Sequence, residues 1–186
     1  MRVSREKAAE NRAKILEAAG RLFRERGLAA TGVDALAEAA GMTHGSLYSQ
    51  FGSKERLAEV AVAAMIEARA GRSAPREGET PRQALERFVT RYLSAGHRDA
   101  PGNGCAIAVL GGEVPRQGEG VRQAYTVGLK GMAARLAALL PEGEDALATI
   151  ALLTGAVTLA RAVDDPVLSD QILSSALKNI LQEKKS

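Results

Sequence analysis

Thr43, His44, Gly45, Ser46, Tyr48, Ser49, Gln50, Ser53 and Lys54 place nine small or hydrogen-bonding residues within twelve positions, with Leu47 and Phe51 as the bulky apolar members. Hydroxyls, an amide, an imidazole and an ammonium at that density suit the phosphate oxygens and base edges of a nucleic acid. Tyr48 and Lys54 fit phosphates, whereas His44, Ser46 and Gln50 fit base edges, and Thr43 fits either. Ser53 stands where a following helix must open, so its hydroxyl and the free backbone N–H groups there also favour an anion. Gly45 sits inside a helical pattern at a cost of roughly 1 kcal/mol against alanine, which a close approach of backbone to DNA would offset. A helical hairpin with a merely hydrated face has the same spacing, so the pattern alone does not decide.

Catalytic chemistry has little to work with. The chain holds two histidines, His44 and His97, and one cysteine, Cys105. It has no closely spaced histidine pair, no Cys-x-x-Cys and no phosphate-binding glycine loop ending in lysine. Cys105 and His97 could be drawn as thiol and base, but their separation of eight positions lends no geometric support. The expectation is a protein that is not an enzyme, with no cofactor and no metal. His97 reads as a helix-end residue whose charge would assist the dipole.

These residues need elements to hold them. Val33, Leu36, Ala37 and Ala40 recur at helical spacing, and Gly41 ends that helix. Thr43 can cap a second helix, His44 to Gln50, which is too short and polar to be stable alone. A third helix opens at Ser53 and runs through Leu57, Val60, Ala61, Ala64, Met65 and Ala68 to about Ala70. Two helices about a tight turn, followed by a third, is the architecture that lays a recognition helix in the major groove.

The stretch ILEAAGRLFRERGLAATGVDALAEAAGMTHGSLYSQFGSKERL resembles the DNA-binding domain of the tetracycline-repressor (TetR) family. Gly27, Ala40 with Gly41, Gly45, Leu47 with Tyr48, Phe51, and Ser53 with Lys54 carry the resemblance. Gly32 departs from it, standing where the family has a capping Ser or Thr. Thr31 is then the substitute and joins the DNA-contact set. Met42 replaces the commoner valine or leucine, a volume-tolerant exchange. The resemblance implies an all-α chain with an amino-terminal helix-turn-helix domain, residues 1–57. A helical ligand-sensing and dimerisation domain, residues 58–186, follows.

Composition agrees. Apolar residues make up 46% and aromatics 3% of the 186 residues, which favours helices over sheets. Residues 1–26 hold eight basic and four acidic side chains, with Arg2, Arg5, Lys7, Arg12 and Lys14 as a basic lead-in. That placement fits attraction to phosphate. The charged beginning lacks an apolar signal core, and the longest uncharged run, residues 146–160, is short and hydroxylated for a bilayer span. A lone cysteine cannot form an internal disulfide, so the expected setting is cytoplasmic, with no membrane partner.

Further helices follow a polar stretch at residues 71–80. Thr80, Pro81 and Gln83 form a capping box for one ending near Gly96. A short helix is expected from Cys105 to about Leu110, then one from about Val121 that Pro141 terminates. Two strongly apolar helices close the chain, the second capped by Asp165 with Pro166. They are either buried centrally in one subunit or paired with a second copy as a four-helix bundle; the family resemblance favours the homodimer. It also implies a small, mostly apolar effector, with Phe88, Tyr92, Cys105, Val109, Tyr125, Leu129, Met132 and Leu152 as candidate pocket residues. An alternative makes Cys105 itself a redox or electrophile sensor. On this reading the chain is a repressor releasing a palindromic operator.

Overall fold

Six helices open on a side chain that closes their first turn: Thr43, Ser53, Thr80, Ser94, Asp145 and Asp165 each accept a backbone N–H two or three residues ahead. Such caps satisfy donors that a helix start leaves unpaired. The computed structural model describes residues 5–182. In chain order come α1 (Arg5–Arg26), α2 (Val33–Ala39), α3 (His44–Phe51), α4 (Lys54–Glu67) and α5 (Pro81–Tyr92). Then follow α6 (Ala95–Arg98), α7 (Ala106–Leu110), α8 (Glu119–Ala137), α9 (Ala146–Ala162) and α10 (Pro166–Leu181). No strand occurs among the described residues, as an all-α reading requires. No helix among them is long and apolar enough to cross a membrane.

Two boundaries differ from expectation. α4 stops at Glu67 after 14 residues instead of reaching Ala70. A 3-10 turn at Ala70–Ser73 replaces its last turn and contains Gly71, a poor helix former. α5 stops at Tyr92 instead of Gly96, because Ser94 caps the new helix α6 by accepting from the His97 N–H at 3.2 Å.

Two apolar cores divide the packing. The first joins Ile15, Phe23, Leu36, Leu47, Leu57 and Val62 of α1–α4 to Ile107 and Leu110 of α7 and Val121 of α8. The second gathers Leu85 and Val89 of α5, Leu136 of α8, Leu153 and Val157 of α9, and Leu173 and Ile180 of α10. Cys105, Leu129 and Met132 pack against both, so they mark the seam. α4 lies unusually close to α8. A Cβ on Gly128 would stand 2.5 Å from the Ile66 side chain, and one on Gly120 would stand 2.6 Å from Glu59. The branched Ile66 side chain leaves room for glycine alone at Gly128, whereas the Glu59 carboxylate could swing aside.

Candidate nucleic-acid interface and effector cavity

α3 turns its two large apolar residues, Leu47 and Phe51, into the first core and leaves His44, Gly45, Tyr48 and Ser49 exposed. The Thr43 hydroxyl accepts the Ser46 N–H at 3.2 Å and lies 3.0 Å from the Ser46 hydroxyl. Gly41, with φ of +62°, makes the turn between α2 and α3. The Ser49 hydroxyl donates to the Ser46 carbonyl at 2.9 Å, so its lone pairs remain for an outside donor. Tyr48 is 46% exposed, its ring edge-on to His44 at 6.3 Å. Ser53 accepts the Arg56 N–H at 3.1 Å, and Lys54 is half-buried beside it. A Cβ on Gly45 would meet nothing closer than the Thr43 hydroxyl at 3.9 Å, so no neighbour within the chain demands a glycine there.

Three expectations about this surface need correction. Thr31 is fully buried and donates to the Gly27 carbonyl at 2.6 Å, so it neither caps α2 nor reaches DNA. Gly32 is the capping residue and offers no side chain. Gln50 is half-buried with its amide nitrogen 3.5 Å from the Ala8 carbonyl of α1, which turns it away from a base edge. The basic lead-in is partly neutralised, since Lys7 and Lys14 both pair with Glu10, at 2.9 and 2.8 Å. The Lys14 bond, followed by that of Lys7, lowers the Glu10 carboxyl to about 2. Arg2 lies outside the described residues.

Two positioning contacts carried no sequence signal. The His44 ring bonds Asp34 of α2 at 2.8 Å, fixing the start of α3. Arg12 of α1 donates to the Gln50 carbonyl at 3.0 Å and stacks 4.3 Å over the Phe51 ring. A cation at the carbonyl end of α3 also suits the helix dipole.

At the seam between the cores lies a cavity of about 290 Å³. Of the expected pocket residues, Phe88, Tyr92, Cys105 and Met132 line it. Val109, Tyr125, Leu129 and Leu152 do not. Tyr125 spends its hydroxyl on the Ile107 carbonyl at 2.9 Å, Val109 and Leu129 pack into the first core, and Leu152 packs into the second. Residues not anticipated complete the wall, chiefly Met65, Arg69 and His97.

Residues 15–61 match the family model described as bacterial regulatory proteins, tetR family. Through this segment the chain is similar to the TetR family. The TetR-like segment is 44% identical over 59 residues to the HTH-type transcriptional regulator TtgR of Pseudomonas putida, covering 32% of this chain and 28% of that one. The HTH-type transcriptional repressor KstR2 of Rhodococcus jostii is 40% identical over 86 residues, covering 45% and 42%. The chain thus aligns with less than half the length of these curated relatives. Fold likeness extends further. The crystal structure of reduced NemR from E. coli superposes with a TM-score of 0.78 at 23% identity, covering 92% of this chain and 95% of that one. A TetR-family regulator from Agrobacterium tumefaciens gives 0.77 at 23% identity over 93% and 98%.

The cavity has an ordered polar corner. The Cys105 N–H donates to His97 Nε2 at 3.0 Å, so that nitrogen is bare. Nδ1 must carry the proton and donates it to the Tyr92 carbonyl at 2.6 Å. Both ring nitrogens are therefore used by the neutral form. Burial holds the His97 pKa below its ordinary value, opposed by the Tyr92 carbonyl and aided by Arg161, Arg69 and Arg72. His97 does sit at a helix end, but as a neutral bridge instead of the expected charge. The Tyr92 hydroxyl is buried with no nitrogen or oxygen partner, only the Cys105 thiol near it, and burial pushes its ionisation well above the usual range.

α4 is not the sole link between the regions before and after it. Glu113, which follows α7, accepts the N–H groups of Leu28 and Ala29 at 2.9 and 3.2 Å. Gly27, with φ of +85°, makes room for that carboxylate, which a Cβ would overlap. Arg24 of α1 donates to the Gly102 carbonyl at 2.6 Å.

Proposed function

We propose that the chain is a ligand-responsive DNA-binding regulator. It acts as a repressor that leaves a palindromic operator when a small, mostly apolar molecule enters the cavity. The observation that carries this reading is α3: a capped, supported helix whose outward face is hydroxyls, glycine and Tyr48, inside a segment matched to TetR regulators. Thr43, His44, Gly45, Ser46, Tyr48 and Ser49 are the proposed groove contacts, with Ser53 and Lys54 on phosphate. A homodimer would present two such helices about 34 Å apart, one helical turn of DNA. Its proposed interface is the outer face of α9 and α10, where Leu147, Leu159, Val167 and Leu168 are exposed. The proposed domain division, residues 1–57 and 58–186, separates reading from sensing, with Glu113 bonded across it.

A duplex selected by the native protein from a randomised pool provides the test. Lys54→Ala should weaken binding to that duplex and to random DNA alike, and reduce the salt slope by about one unit. Unchanged affinity and slope would reject the docking.

A second reading makes Cys105 the sensor, because its thiol is half-buried in the cavity wall among Arg24, Arg69 and Arg161. Cys105→Ser separates the two: loss of response in a folded variant supports the thiol, and retained response supports the cavity ligand.

A further inference from the structure

Arg5, Arg21, Arg26, Arg76 and Arg122 stand exposed in solvent, where an unpaired guanidinium costs little. Several others away from the cavity are engaged. Arg87 grips both oxygens of Glu79 at 2.8 Å, and Arg98 bonds Asp99 at 2.7 Å and Asp170 at 2.6 Å. Arg24 and Arg161 donate to backbone carbonyls. Around the cavity the picture reverses. Arg69, Arg72, Arg91 and Arg135 all line it, and no acidic residue does. Three of those side chains make no hydrogen bond or ion pair among the described residues, and Arg91 reaches only the Arg72 carbonyl at 3.3 Å.

An uncompensated cluster of cations is unfavourable in a partly dry site. Its effect is visible at Arg69, whose pKa is pushed down to about 10 by burial first and then by Arg72, Arg24 and Arg91. Arg69 stays charged at neutral pH, so the repulsion remains. The same wall contains the buried Tyr92, whose hydroxyl has no partner stronger than the neighbouring Cys105 thiol. Buried polar groups are rarely left unsatisfied without a reason. Met65, Phe88 and Met132 add an apolar surface, each one helical turn before a cavity arginine: Arg69, Arg91 and Arg135.

We propose that the cavity receives an amphipathic organic anion, its carboxylate or phosphate headgroup held by Arg69 with Arg91 and Arg135, and its apolar body against Met65, Phe88 and Met132. Guanidinium forks match both headgroups bidentately, and the Tyr92 hydroxyl supplies a further donor. At about 290 Å³ the space suits a small ligand. The proposal rests on the cavity being the effector site, and it narrows the effector from an apolar molecule to an acidic one.

Calorimetry on the full chain at physiological salt, with decanoate, decyl phosphate and decanamide as probes, tests this. Either anion should bind at least about tenfold tighter than the neutral amide, one charge-assisted contact's worth of selectivity. Arg69→Gln should remove most of that preference and keep the amide affinity. Arg135→Gln serves the same purpose if the first variant fails to fold. Tyr92→Phe should lower anion affinity while holding or raising the melting temperature. Equal binding of all three probes would overturn the anion proposal and leave the effector reading standing. Anion binding without any change in operator affinity would support the site and reject the effector reading. No binding of either anion overturns the proposal.

Discussion

Single residues divide here between those that hold the reader in shape and those left free to touch DNA. Gly45 separates the two roles, because a Cβ there has room within the protein. Gly45→Ala should raise the melting temperature, gaining up to about 1 kcal/mol of helix propensity. The same change should weaken operator binding, since the methyl would stand between backbone and DNA. A variant stabilised and fully active in a binding titration would show that Gly45 makes no close approach. His97 offers a pH test. Its folded pKa lies below the unfolded value of about 6.5, so on acidification the unfolded chain takes the proton first. Stability should be undiminished by this group above about pH 6.5 and fall as pH drops from there toward the folded pKa. Thermal melts across that window should show a shallower slope for His97→Gln, even if that variant is less stable throughout. Gln50 shows where residue type misleads. An amide on a recognition helix reads as a base contact, yet this one turns to α1, while His44 stays exposed beside Asp34. Neither partner lies at a spacing that helical periodicity reveals.

Helices were legible wherever local chemistry decides them. Thr80 with Gln83, Asp165 with Pro166, and Thr43 with Ser46 are caps written within three residues, and each is realised. What local sequence could not supply was the end of α4, the helix α6, and the role of Glu113, which depends on residues 84 and 85 positions away. Pocket membership failed for the same reason: helical phase puts Tyr125 and Leu129 on an inner face without saying which cavity that face meets. Glu113→Gln leaves one carbonyl oxygen and no charge for the two amides it now serves. About 1–2 kcal/mol of local stability should go with it. Hydrogen exchange at Leu28 and Ala29 should speed accordingly, and unchanged protection would mean the contact is incidental. At the other end, Leu152 and Leu177 are partly buried in the second core, so charges there would damage the fold itself. Leu159 is 58% exposed, and Leu159→Glu is the cleaner probe of the dimer. Sedimentation should show a folded monomer with weak operator affinity. A dimer that survives the charge would move the interface elsewhere.

At the scale of the whole molecule, the matched segment at residues 15–61 made the reader recognisable, while the sensing half rests on fold likeness alone. The reason is physical. A surface that meets DNA constrains residue types one by one, whereas a helical core accepts many sequences of suitable volume. The arginine cluster escaped notice because its members are spread from Arg69 to Arg135 and become neighbours only through the fold. The glycines that seat α8 against α4 have a mechanical consequence. Ile66 is pressed where a Gly128 side chain would be, so α4 and α8 bear directly on each other at that point. It is a fulcrum. A shift of α8 at Met132, one turn further on, would be felt by α4 there.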